Sequence, residues 1–522
     1  MNKCRRGSYR STWIQELFLI FSMMLVLIST AYAGPFREIG YDSATQATAN
    51  SNVSYGDGPG VLYTNPALIS RLPDRSMFFI GITFWKPNFN VTLFDKSAAS
   101  DVPITIYTSK IGTEQDQQDL ALPTVELKNK RSNTNVDDPY AYVSFGSVMK
   151  LPIKGLRFGS VMMIPIDSLQ IVKTNTHFAT ENEQYFSNQA HFSNFGEWGK
   201  MIDGVMGISY APWDFLSFGV SLKIGMSTVA TVDIYMPDAT VQDYSLINNR
   251  AEISLALKPI VGIQAQPLEW MAFGLTWRHW SYMDITGGGQ MGLWQLHETS
   301  NNYTVPKLAN QTSALALDYE PMELAGSVGF KFRGFTTQAT VTWNMWHWYL
   351  DNHHEKPEEA AHFPTSPFYA DPLIGNDSQF KFKDTVSVAW SGQYEYYSSE
   401  ALTGEVLTGF GYQPTPVPAQ IGRTNYADSD KFMGSVGHKL DFVVFEQHFG
   451  VDVGLQYWHM MERKVYKDPS MIVDEFPDDA TSIIGDLPIP EAQGLQTNNP
   501  GYPGYKIGGY MVLASFNMRY EF

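Results

Sequence analysis

Four side chains with metal-ligating atoms crowd one stretch of this chain: His353, His354, Glu355 and His362. Imidazoles and a carboxylate so close together have the chemistry of a zinc site. Zinc sites keep tighter spacings, however, and this stretch is charged and loop-like, so a solvated loop is the better reading. His279 and His459 fall on alternating, strand-like stretches with no serine spaced to make a nucleophile–base pair. Gly287-Gly288-Gly289 lacks the following helix and lysine that a phosphate cradle requires. The lone cysteine, Cys4, excludes a disulfide framework or a thiolate-bound cluster, and no cofactor is called for. Two cations have a more specific use. Lys223 and Arg278 take inward positions by alternation, where either could meet a carboxylate headgroup or, alternatively, an acid on the same wall, as Asp452 would meet Arg519. Pro165, close to Asp167, lies within a strand-like run, where a residue without an N–H marks a bulge or break.

The segments that carry these residues are not those of a soluble globule. Lys3, Arg5, Arg6 and Arg10 precede an apolar run from Leu17 to Ile28 and then Ala31-Tyr32-Ala33. That order reads as a secretory signal over residues 1–33, cut after Ala33 and taking Cys4 with it. The longest later apolar run, Met77 to Trp85, is too short to cross a bilayer as a helix. A chain with 14% aromatic and 17% charged residues is not disordered. Its net charge of −17 repels phosphate, so nucleic acid is excluded as a partner.

Alternation at period two persists instead. Tyr510, Val512, Ala514, Phe516, Met518 and Tyr520 share one face, and Ser515, Asn517, Arg519 and Glu521 the other. Strands are expected near 76–85, 139–149, 156–172, 200–211, 214–227, 249–266 and 269–286. A second set is expected near 320–333, 335–350, 382–397, 400–412, 431–443, 447–464 and 508–522. That makes fourteen, and their connections alternate long and short. The short ones centre on Lys154-Gly155, Pro212-Trp213, Pro267-Leu268, Gly334, Ser398-Ser399 and Glu446-Gln447. A soluble sandwich has no reason to put every long loop at one end, whereas an outer-membrane barrel does. The fold class is therefore all-β: a 14-stranded antiparallel transmembrane β-barrel over residues 76–522, with short periplasmic turns. Aromatics at strand ends (Phe84, Trp85, Trp213, Trp270, Tyr520, Phe522) suit girdles at the two interfaces.

Residues 34–75 match no strand and carry too few aliphatics for a core of their own. They need a surface to fold against, and a fourteen-stranded lumen offers one. An N-terminal hatch inside the lumen is expected.

Within that stretch, Tyr63-Thr64-Asn65-Pro66-Ala67-Leu68-Ile69 resembles the Asn-Pro-Ala motif of the long-chain fatty acid transporter family of outer-membrane proteins, FadL/TodX. Phe382-Lys383-Asp384-Thr385, Gly409-Phe410 and Thr415-Pro416-Val417-Pro418-Ala419-Gln420 agree with it. So do Asp428-Ser429-Asp430-Lys431-Phe432, Ser435-Val436-Gly437, Val451-Asp452-Val453-Gly454 and the terminal Phe522. The resemblance implies a monomeric barrel in the outer membrane of a Gram-negative bacterium, set among membrane lipid and lipopolysaccharide. It implies passive inward carriage of hydrophobic compounds, long-chain fatty acids first and aromatic or alkane hydrocarbons as the alternative, with lateral release through a break in strand three, where Pro165 and Asp167 lie. Asn65, Pro66 and Ala67 would mark the junction of hatch and barrel. The terminal Phe522, with its alternating aromatics, resembles the signal read by the barrel assembly machinery. Where the family has an acidic residue just before Pro-Val-Pro, this chain has Gln413. Two other classes stay open: a lipid-hydrolysing barrel enzyme, which needs a Ser–His pair at one rim, and a surface adhesin or phage receptor, which needs neither hatch nor Pro165.

Overall fold

The computed structural model describes residues 39–94, 134–137, 139–166, 170–171, 191–192, 202–235, 246–289, 311–348, 382–421, 426–468 and 503–522. Fourteen staves form the wall. They are β1 (Met77–Leu93), β2 (Tyr140–Lys150), β3 (Leu156–Pro165), β4 (Ile202–Trp213), β5 (Leu216–Tyr235), β6 (Leu246–Leu268) and β7 (Met271–Arg278). The second half is β8 (Met322–Phe332), β9 (Phe335–Met345), β10 (Thr385–Ser398), β11 (Leu402–Gln413), β12 (Lys431–Val444), β13 (Gln447–Tyr466) and β14 (Gly504–Glu521). Each pairs antiparallel with its neighbours, and β1 pairs with both β14 (Met77↔Glu521) and β2 (Met77↔Val148), which closes the ring. Closure gives every stave a neighbour on both sides, the condition for spanning a bilayer with strands. Among the described residues no helix is long and apolar enough to cross a membrane.

The alternation seen in the sequence sets inside against outside. On β1, Phe78 and Ile80 are 47% and 51% exposed while Phe79 is fully buried. On β14, Val512, Phe516 and Met518 face out; Leu513, Ser515, Asn517 and Arg519 are buried. A water-soluble protein does not display such a belt of exposed aromatics and aliphatics around a closed wall; a bilayer covers it.

Several boundaries differ from expectation, each for a local reason. Pro87 does not end β1, because by alternation its nitrogen faces the β2 side, in the gap between Trp85↔Tyr140 and Phe89↔Val136 where no ladder bond is forfeited. Pro212 and Pro267 are not turn residues. They lie at register shifts next to the turns, as strand prolines do at bulges, so the turns fall just beyond, at Asp214-Phe215 and Glu269-Trp270. Two other turns are built on left-handed pairs, Arg333-Gly334 (φ 46° and 78°) and Phe445-Glu446 (φ 50° and 64°), which match the twist of tight hairpins. The seventh and eighth strands are each interrupted, at His279-Trp280 and at Pro321; beyond the breaks, Ser281–Gly289 and Gln311–Glu320 form a separate hairpin. Gly287-Gly288-Gly289 is part of that ladder, not a cradle.

Candidate functional site: the hatch and the bore around it

Residues 39–75, the stretch expected to act as a hatch and so named below, lie against the inward faces of the staves. The segment begins with a short helix, α1 (Ser43–Ala47), capped by Asp42, whose carboxylate accepts from Thr45 N at 2.8 Å. The same carboxylate accepts from Gly60 N at 2.6 Å, tying the two arms of the segment together. Burial raises the Asp42 carboxyl above its usual range, against those hydrogen bonds. A Cβ on Gly58 would meet Asp42 Oδ2 at 2.3 Å and one on Gly60 would meet it at 2.8 Å, so the glycine-rich 56–60 stretch is what close approach to a carboxylate demands.

A second helix, α2 (Val61–Thr64), runs into a 3₁₀ turn, Pro66–Arg71, through Asn65. Here the Asn-Pro-Ala residues work as one unit. Asn65 Oδ1 caps the turn by accepting from Ala67 N (3.1 Å), while its Nδ2 donates to Val53 O (2.6 Å) inside the segment and to Ile263 O (3.1 Å) on β6. Pro66 opens the turn at a position where no N–H is missed. Ala67 O accepts from Ser209 Oγ on β4 at 2.9 Å. Gly219 and Gly262 leave room for Pro66 and Asn65 on the wall, and a Cβ on Gly274 would stand 1.9 Å from Val53 O.

Attachment continues around the ring. Ser435 Oγ donates to Ala47 O, Gln456 Nε2 to Gln46 O, Thr340 Oγ1 to Ser51 O, and Ser221 Oγ to Leu62 O. Gln338 binds Ser54 and Tyr55, and Ser51 Oγ touches Ser391 Oγ at 2.7 Å. Lys439 pairs with Asp57. Burial alone would raise Asp57, but the Lys439 ammonium and the Arg519 guanidinium outweigh it and hold this carboxyl below its usual range.

Both headgroup candidates point into the bore, and both meet acids. Lys223, fully buried, pairs with Asp203 at 3.1 Å and with Glu320. Arg278 pairs with Glu323 at 2.7 Å, and its Nε and Nη2 each donate at 2.8 Å to hatch carbonyls, of Tyr63 and Thr64. Lys258, missed in the sequence, completes the set by bridging Glu320 (3.0 Å) and Glu323 (3.3 Å). Three bases thus face three acids. The companion pair Arg519–Asp452 is also present, at 2.8 Å, beside Asp441 and Glu521. Strand phase would have placed Asp203, Lys223, Lys258 and Arg278 on one wall. Glu320 and Glu323 were hidden by reading the interrupted eighth strand as continuous.

Above the hatch the bore changes character. Trp85, Phe89, Trp458, Met460, Met511 and Leu513 are inward-facing and buried. A cavity of about 100 Å³ sits on the hatch between Val53, Tyr63, Asn344, Gln413, Met433 and Trp458. Gln413 stands at its edge. The two blocks around it meet in space: Asp428 accepts from Thr415 Oγ1 (2.6 Å) and pairs with Lys431 (2.7 Å), Asp430 accepts from Thr415 N (2.9 Å), and Arg463 holds the carbonyls of Val417 and Pro418.

The ladder between β3 and β4 ends at Met163↔Asp203, while β3 stays paired with β2 as far as Pro165↔Tyr142. Ile166 N donates to Ala141 O on β2, so the nitrogen of Pro165 faces β4, where the next ladder bond would need an N–H. Pro165 is therefore the last residue of its strand rather than one within a strand running to 172. The chain resumes ladder contact at Gln170-Ile171, parallel to Thr228-Val229 of β5. Asp167 and the His353, His354, Glu355 and His362 group lie outside the described residues. Among the described residues no group of three or more His, Cys, Asp or Glu is placed to hold a metal.

A closed ring of fourteen antiparallel staves, apolar outside and holding its own leading segment against the inner wall, is an outer-membrane-type barrel. Its fold is that of the FadL-type proteins. Over 94% of this chain and 99% of the other it superposes on a Pseudomonas aeruginosa FadL homologue with a TM-score of 0.52 at 11% identity. It also matches the P. putida toluene transporter TodX over 93% of this chain and 99% of that one, with a TM-score of 0.49 at 11% identity. No family model matches the sequence, and neither does any curated protein.

Proposed function

We propose that this chain, as a member of the FadL/TodX family, is a passive outer-membrane channel through which hydrophobic molecules enter a Gram-negative cell. The apolar lining of the upper bore carries this reading: Trp85, Phe89, Trp458, Met460, Met511 and Leu513 offer a partition site above a hatch. Residues 34–75 act as that hatch, with Asn65, Pro66 and Ala67 pinning it to the wall. The long external loops offer the first foothold amid lipopolysaccharide. One solved barrel of this fold is a FadL homologue, which favours a channel over a hydrolase or an adhesin.

Exit is sideways. Below the hatch, Lys439, Asp441, Asp452, Arg519 and Glu521 line the route to the periplasm, and an alkane or arene gains nothing there. Beside β3, by contrast, the ladder stops at Met163, and Pro165 keeps it from closing. The break opens toward lipid. Pro165 and Asp167 form the lateral gate in this proposal.

The preferred cargo is uncharged. Lys223 and Arg278 are each matched by acids, so a carboxylate entering the bore would have to displace Glu320 or Glu323. Long-chain fatty acids are the second reading, favoured by the number of cations on that wall. Uptake of labelled toluene and oleate by cells with and without the gene decides the matter. Faster toluene entry with little change for oleate is expected. Equal entry of both probes with and without the gene would remove the channel reading altogether and leave the adhesin.

A further inference from the structure

The buried charges on the β4–β8 wall do more than neutralise one another, because both ends of their chain grip the hatch. At one end Tyr41 Oη donates to Asp203 at 2.9 Å. From Asp203 the contacts run through Lys223, Glu320, Lys258 and Glu323 to Arg278. At the other end the Arg278 guanidinium holds the carbonyls of Tyr63 and Thr64 and lies 4.8 Å from the Tyr63 ring centroid. Tyr41 and Tyr63 are themselves in contact, with ring centroids 5.5 Å apart, so the chain of charges and the hatch form a closed loop. We propose that Asp203, Lys223, Glu320, Lys258, Glu323 and Arg278 are a two-point electrostatic latch that keeps the hatch seated.

Position favours this role over simple charge balance. Arg278 takes the two carbonyls that end α2, immediately before Asn65, where the hatch turns onto the wall. Asp203 is the last β4 residue paired with β3 before the break, so the same network touches the wall beside the gate. Glu320 is the last residue of the outer hairpin, directly before Pro321, whose carbonyl also accepts from Lys258 at 3.2 Å. A change at the hairpin foot therefore reaches both ends of the grip through two lysines. Charge-assisted bonds in a buried setting are the strongest single contacts available for such a hold. Most other hatch attachments are neutral hydroxyl or amide bonds to backbone.

The latch rests on residues 34–75 closing the bore, and its test reads closure, not hydrophobic transport. Purified protein in liposomes is assayed for efflux of carboxyfluorescein, a polar dye. Arg278→Gln removes two charge-assisted bonds to the hatch, which shifts the open–closed balance by roughly a hundredfold and should raise efflux accordingly. Tyr41→Phe deletes one hydroxyl at the opposite end and should raise it by about tenfold, without stressing the barrel. Heat-modifiable gel migration verifies the fold of each variant, and if Arg278→Gln fails it, Tyr41→Phe decides alone. Ser51→Cys with Ser391→Cys then ties hatch to wall, since these hydroxyls already touch. Formation of the disulfide should restore tightness to the leaky variants. Dye retention by both variants equal to that of the parent overturns the latch, and so does a leak that persists once the cross-link is formed. A leaky Arg278→Gln in a protein that carries no hydrophobic probe would refute the transport reading and leave the latch standing.

Discussion

Along β12, β13, β14 and β1 the two halves of the bore differ sharply, although the same strands build both. Upward from the hatch the inward residues are mainly apolar, Met433, Trp458, Met460, Met511, Leu513, Trp85 and Phe89, with Lys431 at the upper end; downward Lys439, Asp441, Asp452, Arg519 and Glu521 gather on β12, β13 and β14, beside Met77 and Phe79 of β1. Between them, at the level where the hatch presses, stand Ser435, Gly437, Gly454 and Ser515. Outward residues on these staves are mainly apolar, Ile80, Val436, Val453, Leu455, Val512 and Phe516 among them, with Lys86, His438 and His459 as polar exceptions. Mainly apolar above and largely ionic below, the bore suits the proposed entry of an apolar molecule and offers it no contact to gain by continuing straight down.

The largest expected effects break the hatch itself. Gly274→Val puts side-chain atoms where Val53 O now lies, 1.9 Å from an ideal Cβ, and should unseat the segment. Polar-dye efflux should then rise by roughly a hundredfold or more, as expected when several buried hydrogen bonds are lost together. Efflux unchanged from the parent would mean the hatch does not rely on that contact.

Next come changes that swap the character of one half. Leu513→Asp buries a carboxylate in the apolar half and should cut uptake of labelled toluene by about tenfold or more, with the bore still closed to dye. Arg519→Gln acts in the ionic half. It strands Asp452 and Asp441, so unfolding by urea in detergent should show a loss of about 3 kcal/mol, with toluene uptake retained. Were the two variants to affect uptake and stability alike, the contrast between the halves would have no functional content.

Inside and outside were legible in the sequence, whereas the difference between the two halves of the bore was not. Alternation put Phe516 and Asn517 on opposite faces, the alternating long and short loops decided for a barrel and so turned Phe516 outward, and together they set fourteen staves in nearly their observed places. The short, aliphatic-poor stretch 34–75 announced its need for a host surface. Two further things were not legible. Breaks in strands depend on which side of a proline lacks a partner: Pro87 sits harmlessly inside β1, whereas Pro165 ends β3, and both read alike in sequence. The particular partners on the wall were also hidden, since Glu320 is brought to Lys223 by a strand interruption that leaves no periodic trace. Lys223 and Arg278 lie inward, as alternation placed them, and meet wall acids, as the second of their two readings had it; which acids was not legible.

A smaller effect sharpens the comparison by pH. Lys439 and Arg519 hold Asp57 below its usual carboxylate range, so its ionised form contributes seating energy above the ordinary aspartate pKa of about 3.9, lost as pH falls through the lowered value. Asp42 has the opposite sign: burial raises it, so its ionised form costs stability and acidification relieves that cost. Dye efflux from the parent should therefore rise only at strongly acid pH, and Asp57→Asn should leak modestly at neutral pH without that acid rise. Superimposable pH profiles for the two would remove Asp57 from the account.

In the proposed route hydrophobic cargo occupies the upper bore and leaves through the wall beside β3. A photoactivatable diazirine-bearing alkane, irradiated with the protein in outer-membrane vesicles and mapped by peptide mass spectrometry, tests it directly. Labelling should concentrate on Trp85, Trp458 and Met511 and at the β3 break near Pro165. Labelling that instead tracks past the hatch to the segments carrying Asp452 and Arg519 would contradict it.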